Sequence, residues 1–171
     1  MRPAAAGASA TVEDLRASGR TVLARLRELP GGSCLLELAA GRDDVELIGG
    51  ATRDLLLGRS PRELDVVVDG DAASLAAELA ARLPGPADGE ADASLETTVH
   101  ERFGTALVSF QGGRIDLAAR RSESYPAPGA LPEVRAGTPD EDLARRDFTV
   151  NAIAVALGAV SYTHLTLPTK A

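Results

Sequence analysis

The sequence predicts an α+β domain, and three observations lead there. Short β-branched runs at 45–48 and 64–68 are each followed by a helical pattern, a hairpin pattern occupies 105–117, and amphipathic helical segments lie on both sides. The chain has 171 residues with 44% hydrophobic content, which is room for one domain with a sizeable core. With three Phe, two Tyr and no Trp, that core must be built from Ala, Leu and Val, and no base-stacking platform of interleaved aromatics is visible.

Thr11, followed by Val12, Glu13 and Asp14, starts a helix whose apolar stripe of Leu15, Val22, Leu23, Leu26 and Leu29 stops at Pro30, Gly31 and Gly32. Val45 to Ile48 reads as a short buried strand. The pair Gly49 and Gly50 then makes a tight turn, and Asp54 to Leu57 form a helical turn or two ending at Gly58. Leu64 to Val68 suits a strand, and Asp71 caps an Ala- and Leu-rich helix that runs to Leu83 and is ended by Pro84, Gly85 and Pro86. Residues 84–94 are a Pro-, Gly- and acid-rich loop. Thr105 to Phe110 and Arg114 to Leu117 form a hairpin through Gln111, Gly112 and Gly113. Residues 122–137, broken repeatedly by Pro and Gly, read as a long loop. Thr138 then caps a helix with Pro139 at its first position and an acid, Glu141, at its third. A last amphipathic segment from Asp147 to Leu157 places Phe148, Ile153 and Leu157 at helical spacing.

Composition narrows the functional classes. The single Cys34 excludes an intrachain disulfide and a multi-cysteine zinc site, and no secretory leader is visible, so a cytoplasmic address is expected. No apolar run approaches the roughly 20 residues that cross a bilayer. The net charge of −7 argues against strong nucleic-acid binding by this chain alone, because phosphate contacts come mainly from Lys and Arg. Lys170 is the one lysine among 18 cationic residues. It lies in a stretch from Val160 to Ala171 that differs in character from the Arg-, Ala- and Gly-rich remainder and resembles a translated sequencing-adapter oligonucleotide. The other reading of that stretch is a strand, from the alternation around Tyr162, His164, Leu165 and Leu167. The expected division is a helical lead-in over 1–44, a head over 45–159 and a non-native tail over 160–171, the natural chain being longer.

Four groups of residues carry chemistry. Gly49 and Gly50, between strand and helix, let backbone amides approach a phosphate at a helix N-terminus, and Arg53 in the first turn can fork onto phosphate oxygens; a plain tight turn is the alternative. Glu63 and Asp65 stand two apart on a strand, hence on one face, where a divalent cation relieves their repulsion; a solvated acidic strand end is the alternative. Asp116 sits in the later hairpin and would join them if its strand lies beside theirs, the layout of a two-metal nucleotidyl-transfer site. Arg145 and Arg146 offer charge for a triphosphate or form a solvated surface, while Asp147 and Asn151, four apart, share a helix face. Asp69 and Asp71, a rival acidic pair, read better as a turn and helix cap.

In order along the chain these segments resemble the head of class II tRNA nucleotidyltransferases and bacterial poly(A) polymerases. The resemblance runs through Gly49, Gly50, Ala51, Thr52, Arg53 and Asp54, then Leu57, Gly58 and Arg59 leading to Glu63, Leu64 and Asp65. It continues through His100 to Thr105, through Ile115 to Ala118 with Arg121, Glu123 and Tyr125, through Gly129 to Pro132, and ends at Asp142 to Thr149. It implies a polymerase-β-like nucleotidyltransferase fold, a mixed sheet with flanking helices, truncated at its C-terminal side. It also implies Mg2+ on Glu63 and Asp65, with triphosphate contacts from Gly49, Gly50, Arg53 and Arg146, and further roles for Asp116, Arg121 and Asn151. Glu63 departs from the Asp the family often carries there, and Thr52 replaces a usual Val.

The implied reaction is attack by the 3′ hydroxyl of a tRNA on the α-phosphate of ATP or CTP, with release of pyrophosphate. CCA synthesis or its partial CC- or A-adding forms is the leading expectation. Poly(A) addition, or a catalytically silent nucleotide- or RNA-binding head, is the alternative. In that family the base-selecting Glu-Asp-x-x-Arg helix and the basic helices that grip tRNA lie beyond the head, past the segments of this chain that carry the resemblance, and oligomeric state is not legible in the sequence.

Overall fold

A computed structural model describes residues 12–85, 95–124, 127, 129, 133–144, 152–158 and 165–166. In chain order the elements are helices α1 (Val12–Arg27) and α2 (Gly32–Ala39), strand β1 (Val45–Ile48), α3 (Gly49–Leu56), β2 (Leu64–Val68), α4 (Ala72–Ala80) and β3 (Glu96–His100). A 3-10 turn (Glu101–Phe103) follows, then β4 (Thr105–Phe110), β5 (Gly113–Ala119), β6 (Arg121–Ser124), β7 (Glu133–Ala136), α5 (Pro139–Ala144), β8 (Ala154–Ala156) and β9 (Leu165–Thr166). The fold is α+β, a mixed sheet with flanking helices. The sheet runs β3-β4-β5-β2-β1-β8-β9, and β6 pairs with β7 separately. Neighbouring strands in the large sheet are antiparallel except for β2 and β5, which run parallel.

Period-two alternation sorts each central strand between two faces. Val45 and Leu47 of β1, Leu64, Val66 and Val68 of β2, and Ile115 and Leu117 of β5 point to one side, into a single core with Val22 and Leu26 of α1, Leu35 of α2, Leu55 of α3 and Leu75 and Leu79 of α4. The opposite side carries a smaller cluster of Ile48, Val67 and Ala154, covered by Leu143 of α5. The helices therefore close one face and leave the other largely to polar side chains.

Caps fix the helix ends. The Asp71 carboxylate accepts from the Ala73 amide at 2.9 Å and the Ser74 hydroxyl at 2.6 Å, holding its own pKa below the usual range through those bonds. Thr138 and Glu141 close a reciprocal capping box on α5, at 2.8 and 3.3 Å. Arg25 of α1 donates to the carbonyls of Leu55 and Leu56, where α3 ends.

Several expectations need correction. The first helix ends at Arg27, before Leu29 of the expected stripe, and Gly31, with φ 73°, is the N-cap of a second helix, α2, that begins at the next residue. The glycine pair is not a turn ahead of a helix: Gly49 and Gly50 are the first two residues of α3. Residues 122–137 are not one loop, because β6 and β7 pair from Arg121↔Ala136 to Ser124↔Glu133. The segment ending at Leu157 is not helical at 154–156, where β8 pairs with β1, so sheet addition overrides the helical spacing of Ile153 and Leu157. Two residues of the 160–171 stretch form β9 and pair with β8. Thr11, Phe148, Arg146 and Asn151 lie outside the described residues.

Candidate active site on the open sheet face

The site begins with the one parallel pairing of the large sheet among the described residues. Because β2 and β5 run side by side, Asp65 and Asp116 are direct register partners. Adjacent strands lie about 4.8 Å apart, and residues opposite one another project to the same face. The condition on which the acids could meet is thus fulfilled by these two. Both line a cavity of about 380 Å³, together with His100, Thr105, Arg114 and Arg121.

Glu63 is placed differently from the expectation. It lies in a bend immediately before β2, with its side chain half exposed, rather than on the strand beside Asp65. Pro61, two residues earlier, has no amide hydrogen for a sheet ladder, which favours a strand start after it. Glu63 is drawn toward the cluster by Arg114, at 3.6 Å.

Arg114 is the residue that sequence reasoning passed over. Its Nε donates to one Asp116 oxygen at 2.8 Å and its Nη2 to the other at 3.1 Å, a bidentate fork. Its pKa is raised, first by that hydrogen bond and then by the charges of Asp116, Glu63 and Asp65. The available signal was spacing: Arg114 stands two before Asp116 on one strand, hence on the same face.

The α3 N-terminus meets this cluster from the side. Ile48, the last residue of β1, is the register partner of Asp65, so Gly49 follows directly beside the carboxylate. Gly49 has φ +70°, and a Cβ there would stand 3.5 Å from Asp65 Oδ2. Glycine supplies the left-handed backbone that turns strand into helix within one residue. The Gly49 amide donates to the Ile153 carbonyl at 3.1 Å, which fixes the helix start to the β8 edge. Arg53, one turn on, folds back so that its Nη2 lies 3.5 Å from where a Cβ of Gly50 would be. Its Nε and Nη2 both reach Asp54 Oδ1 at 2.9 Å, which lowers the Asp54 pKa and orients the guanidinium.

Arg121 reaches the cavity from the start of β6. Its Nη2 pairs with Glu123 at 3.0 Å, and its amide donates to Asp142 of α5 at 3.5 Å. Next to it, Arg120 is buried between Glu46 at 3.1 Å and Asp69 at 2.5 Å. Burial pushes the Glu46 carboxyl up, and the Arg120 charge opposes that shift. This triad ties β1, the β5–β6 junction and the β2–α4 turn together on the site's face.

Among the described residues no group of three or more His, Cys, Asp and Glu side chains is gathered closely enough to enclose a metal ion. A two-carboxylate site completed by substrate oxygens is a different arrangement, and it is the one magnesium commonly uses. Asp65 and Asp116 offer oxygen donors only, on one face, where Arg114 already answers a demand for positive charge. The donor set suits a hard divalent cation. Among the described residues, no helix is long and apolar enough to cross a membrane.

Comparison with known proteins identifies a family for the chain. The Poly A polymerase head domain family matches residues 45–165. An A-adding tRNA nucleotidyltransferase of Halalkalibacterium halodurans is 39% identical over 134 residues, covering 77% of this chain and 29% of the relative. A CC-adding tRNA nucleotidyltransferase of Deinococcus radiodurans is 40% identical over 125 residues, covering 71% of this chain and 30% of the relative. Among solved structures, an apo form of a CCA-adding enzyme superposes with a TM-score of 0.64 at 32% identity, covering 91% of this chain and 34% of the other. The chain spans less than a third of the length of these curated relatives.

Proposed function

The chain belongs to the Poly A polymerase head domain family, and from that premise we propose that it is the catalytic head of a template-independent tRNA nucleotidyltransferase. The reaction is attack by the tRNA 3′ hydroxyl on the α-phosphate of ATP or CTP, releasing pyrophosphate. The observation that carries this reading is the in-register pair Asp65 and Asp116 beside the α3 N-terminus.

In this reading the α3 N-terminus, through Gly50 and the helix dipole, receives the triphosphate, and Arg53 and Arg121 neutralise its charge. Asp65, with Glu63, would hold magnesium, and Asp116 completes the acidic face. Magnesium bound there supplies positive charge to the phosphate oxygens and lowers the pKa of the attacking hydroxyl. Asp116 keeps its carboxylate oriented through the Arg114 fork, so that it faces the cavity without a rotamer search. Arg146 and Asn151 are assigned to nucleotide contact by the same reading. The address is cytoplasmic, residues 45–159 form the head, and 160–171 are foreign to it; a genomic read across the codon for Gly158 tests the last point.

Asp65→Asn is the direct test. Incorporation of labelled CTP and ATP into tRNA lacking its CCA end, measured with the head in its longer natural protein, should fall by at least about a hundredfold, as when a transition-state contact is deleted. Retained turnover would remove Asp65 from the metal site. Product length in the same assay separates CCA, CC or A addition from poly(A) synthesis.

A further inference from the structure

Phe103 is 61% exposed in a chain that holds three Phe, two Tyr and no Trp. A single exposed aliphatic side chain is ordinary, whereas a scarce aromatic held in water among other apolar groups marks a contact surface. The backbone fixes that presentation. The 3-10 turn Glu101–Phe103 ends at Gly104 in the left-handed region, φ 58°, and a Cβ on Gly104 would stand 3.3 Å from the Ala119 Cβ. A side chain at position 104 would be both strained and crowded, so glycine holds the corner that follows Phe103.

Phe103 shares a second cavity, of about 340 Å³, with Val134 of β7, which is 56% exposed, and with Arg102, Arg121 and Arg135. Three guanidinium groups thus surround an apolar surface on a chain whose net charge is −7. The Arg102 guanidinium carbon lies 5.9 Å from the Phe103 ring centroid. Arg121 donates to the Phe103 carbonyl at 3.5 Å, and the Arg135 Nε donates to Ser122 Oγ at 3.2 Å, so both are aimed by the fold. Arg121 also lines the cavity that holds Asp65 and Asp116. The two cavities meet at that residue.

We propose that this groove holds the single-stranded 3′ segment of the RNA substrate upstream of the reacting hydroxyl, with one base against Phe103 and its flanking phosphates at Arg102 and Arg135. The proposal rests on the nucleotidyltransferase reading above. An aromatic face with guanidinium neighbours is the chemistry that holds unpaired nucleotides: the ring stacks any base, and the arginines take phosphate oxygens. The cationic rim and the shared Arg121 favour RNA over an apolar protein segment, which would gain nothing from three arginines.

The test is fluorescence anisotropy of a short labelled single-stranded RNA with the full chain at low salt, alongside calorimetry of a non-hydrolysable ATP analogue with magnesium. Phe103→Ala should weaken RNA binding by roughly fivefold to a hundredfold. Phe103→Leu, which keeps apolar bulk without a ring face, should weaken it comparably. Arg102→Ala and Arg135→Ala should each flatten the dependence of log affinity on log salt by about 0.7. ATP-analogue binding by all four variants should stay within about twofold of wild type. Unchanged RNA affinity in Phe103→Ala, full affinity in Phe103→Leu, or no RNA binding by the wild-type chain would each overturn the groove. If RNA binding fails these tests while the analogue still binds, the groove alone is lost; if the wild-type chain fails to bind the analogue, the parent reading is what fails.

Discussion

The two faces of the large sheet are made from the same strands and do opposite things. On one, Leu47, Val66, Ile115 and Leu117 are sealed beneath four helices. On the other, residues one position along those strands include Asp65 and Asp116, open to a cavity. The first face supplies stability from apolar burial. The second spends some of it, since carboxylates placed side by side repel until something positive answers them. Separation of the two tasks by strand parity lets the polar face change chemistry without disturbing the core.

Substitutions on either face test that division. Leu75→Ala, a fully buried site on α4, should cost about 2–5 kcal/mol in urea unfolding, the range for deleting a buried leucine. Asp65→Asn in the same assay should move stability by less than about 1 kcal/mol while removing activity. A large loss of stability in Asp65→Asn would show that the open face is structural too.

Gly49 sits where the faces join. Gly49→Ala forces a left-handed backbone on a residue with a Cβ, which should destabilise by about 1–2 kcal/mol. The added methyl reaches only ordinary contact with Asp65, at 3.5 Å, so the cost lies in the backbone. The same variant should weaken ATP-analogue binding, because relief of that strain shifts the start of α3. Thr52→Val should give the smallest effect and the opposite sign. Thr52 is buried, and among the described residues its hydroxyl has no hydrogen-bond partner. Valine, with the same shape, should stabilise by about 1 kcal/mol, read as a higher urea midpoint with an unchanged slope.

What could be read in the sequence follows from the same physics. β1, β2 and the β4–β5 hairpin were legible because β-branched runs or alternation mark strands that border a core. Glu96–His100 is exposed along almost its whole length as the sheet edge, so it carries no apolar pattern to find. The polar strand Arg121–Ser124 exists through its pairing with Glu133–Ala136, a partnership across a Pro-rich stretch that local propensity does not encode. α2 has no side-chain N-cap, follows Pro30 and Gly31 and starts on a third helix-breaking residue, Gly32, and only the left-handed Gly31 shows that the chain turns a corner there. At the site, residue types were informative and pairings were not. Asp65 and Asp116 were each identifiable as acids on strands, but their shared register is a property of the parallel crossover, and that register is what brings the Arg114 fork on Asp116 beside Asp65.

Arg25 has a consequence for how the head is handled. The matched family region begins at residue 45, yet Arg25 of α1 grips the carbonyls at the far end of α3. α3 has eight residues and so measures about 12 Å from that grip to Gly49. It acts as a short lever pinned at one end by a residue outside the matched stretch. A head trimmed to the family boundary would keep every assigned site residue and lose the peg at the far end of the helix that presents Gly49, Gly50 and Arg53.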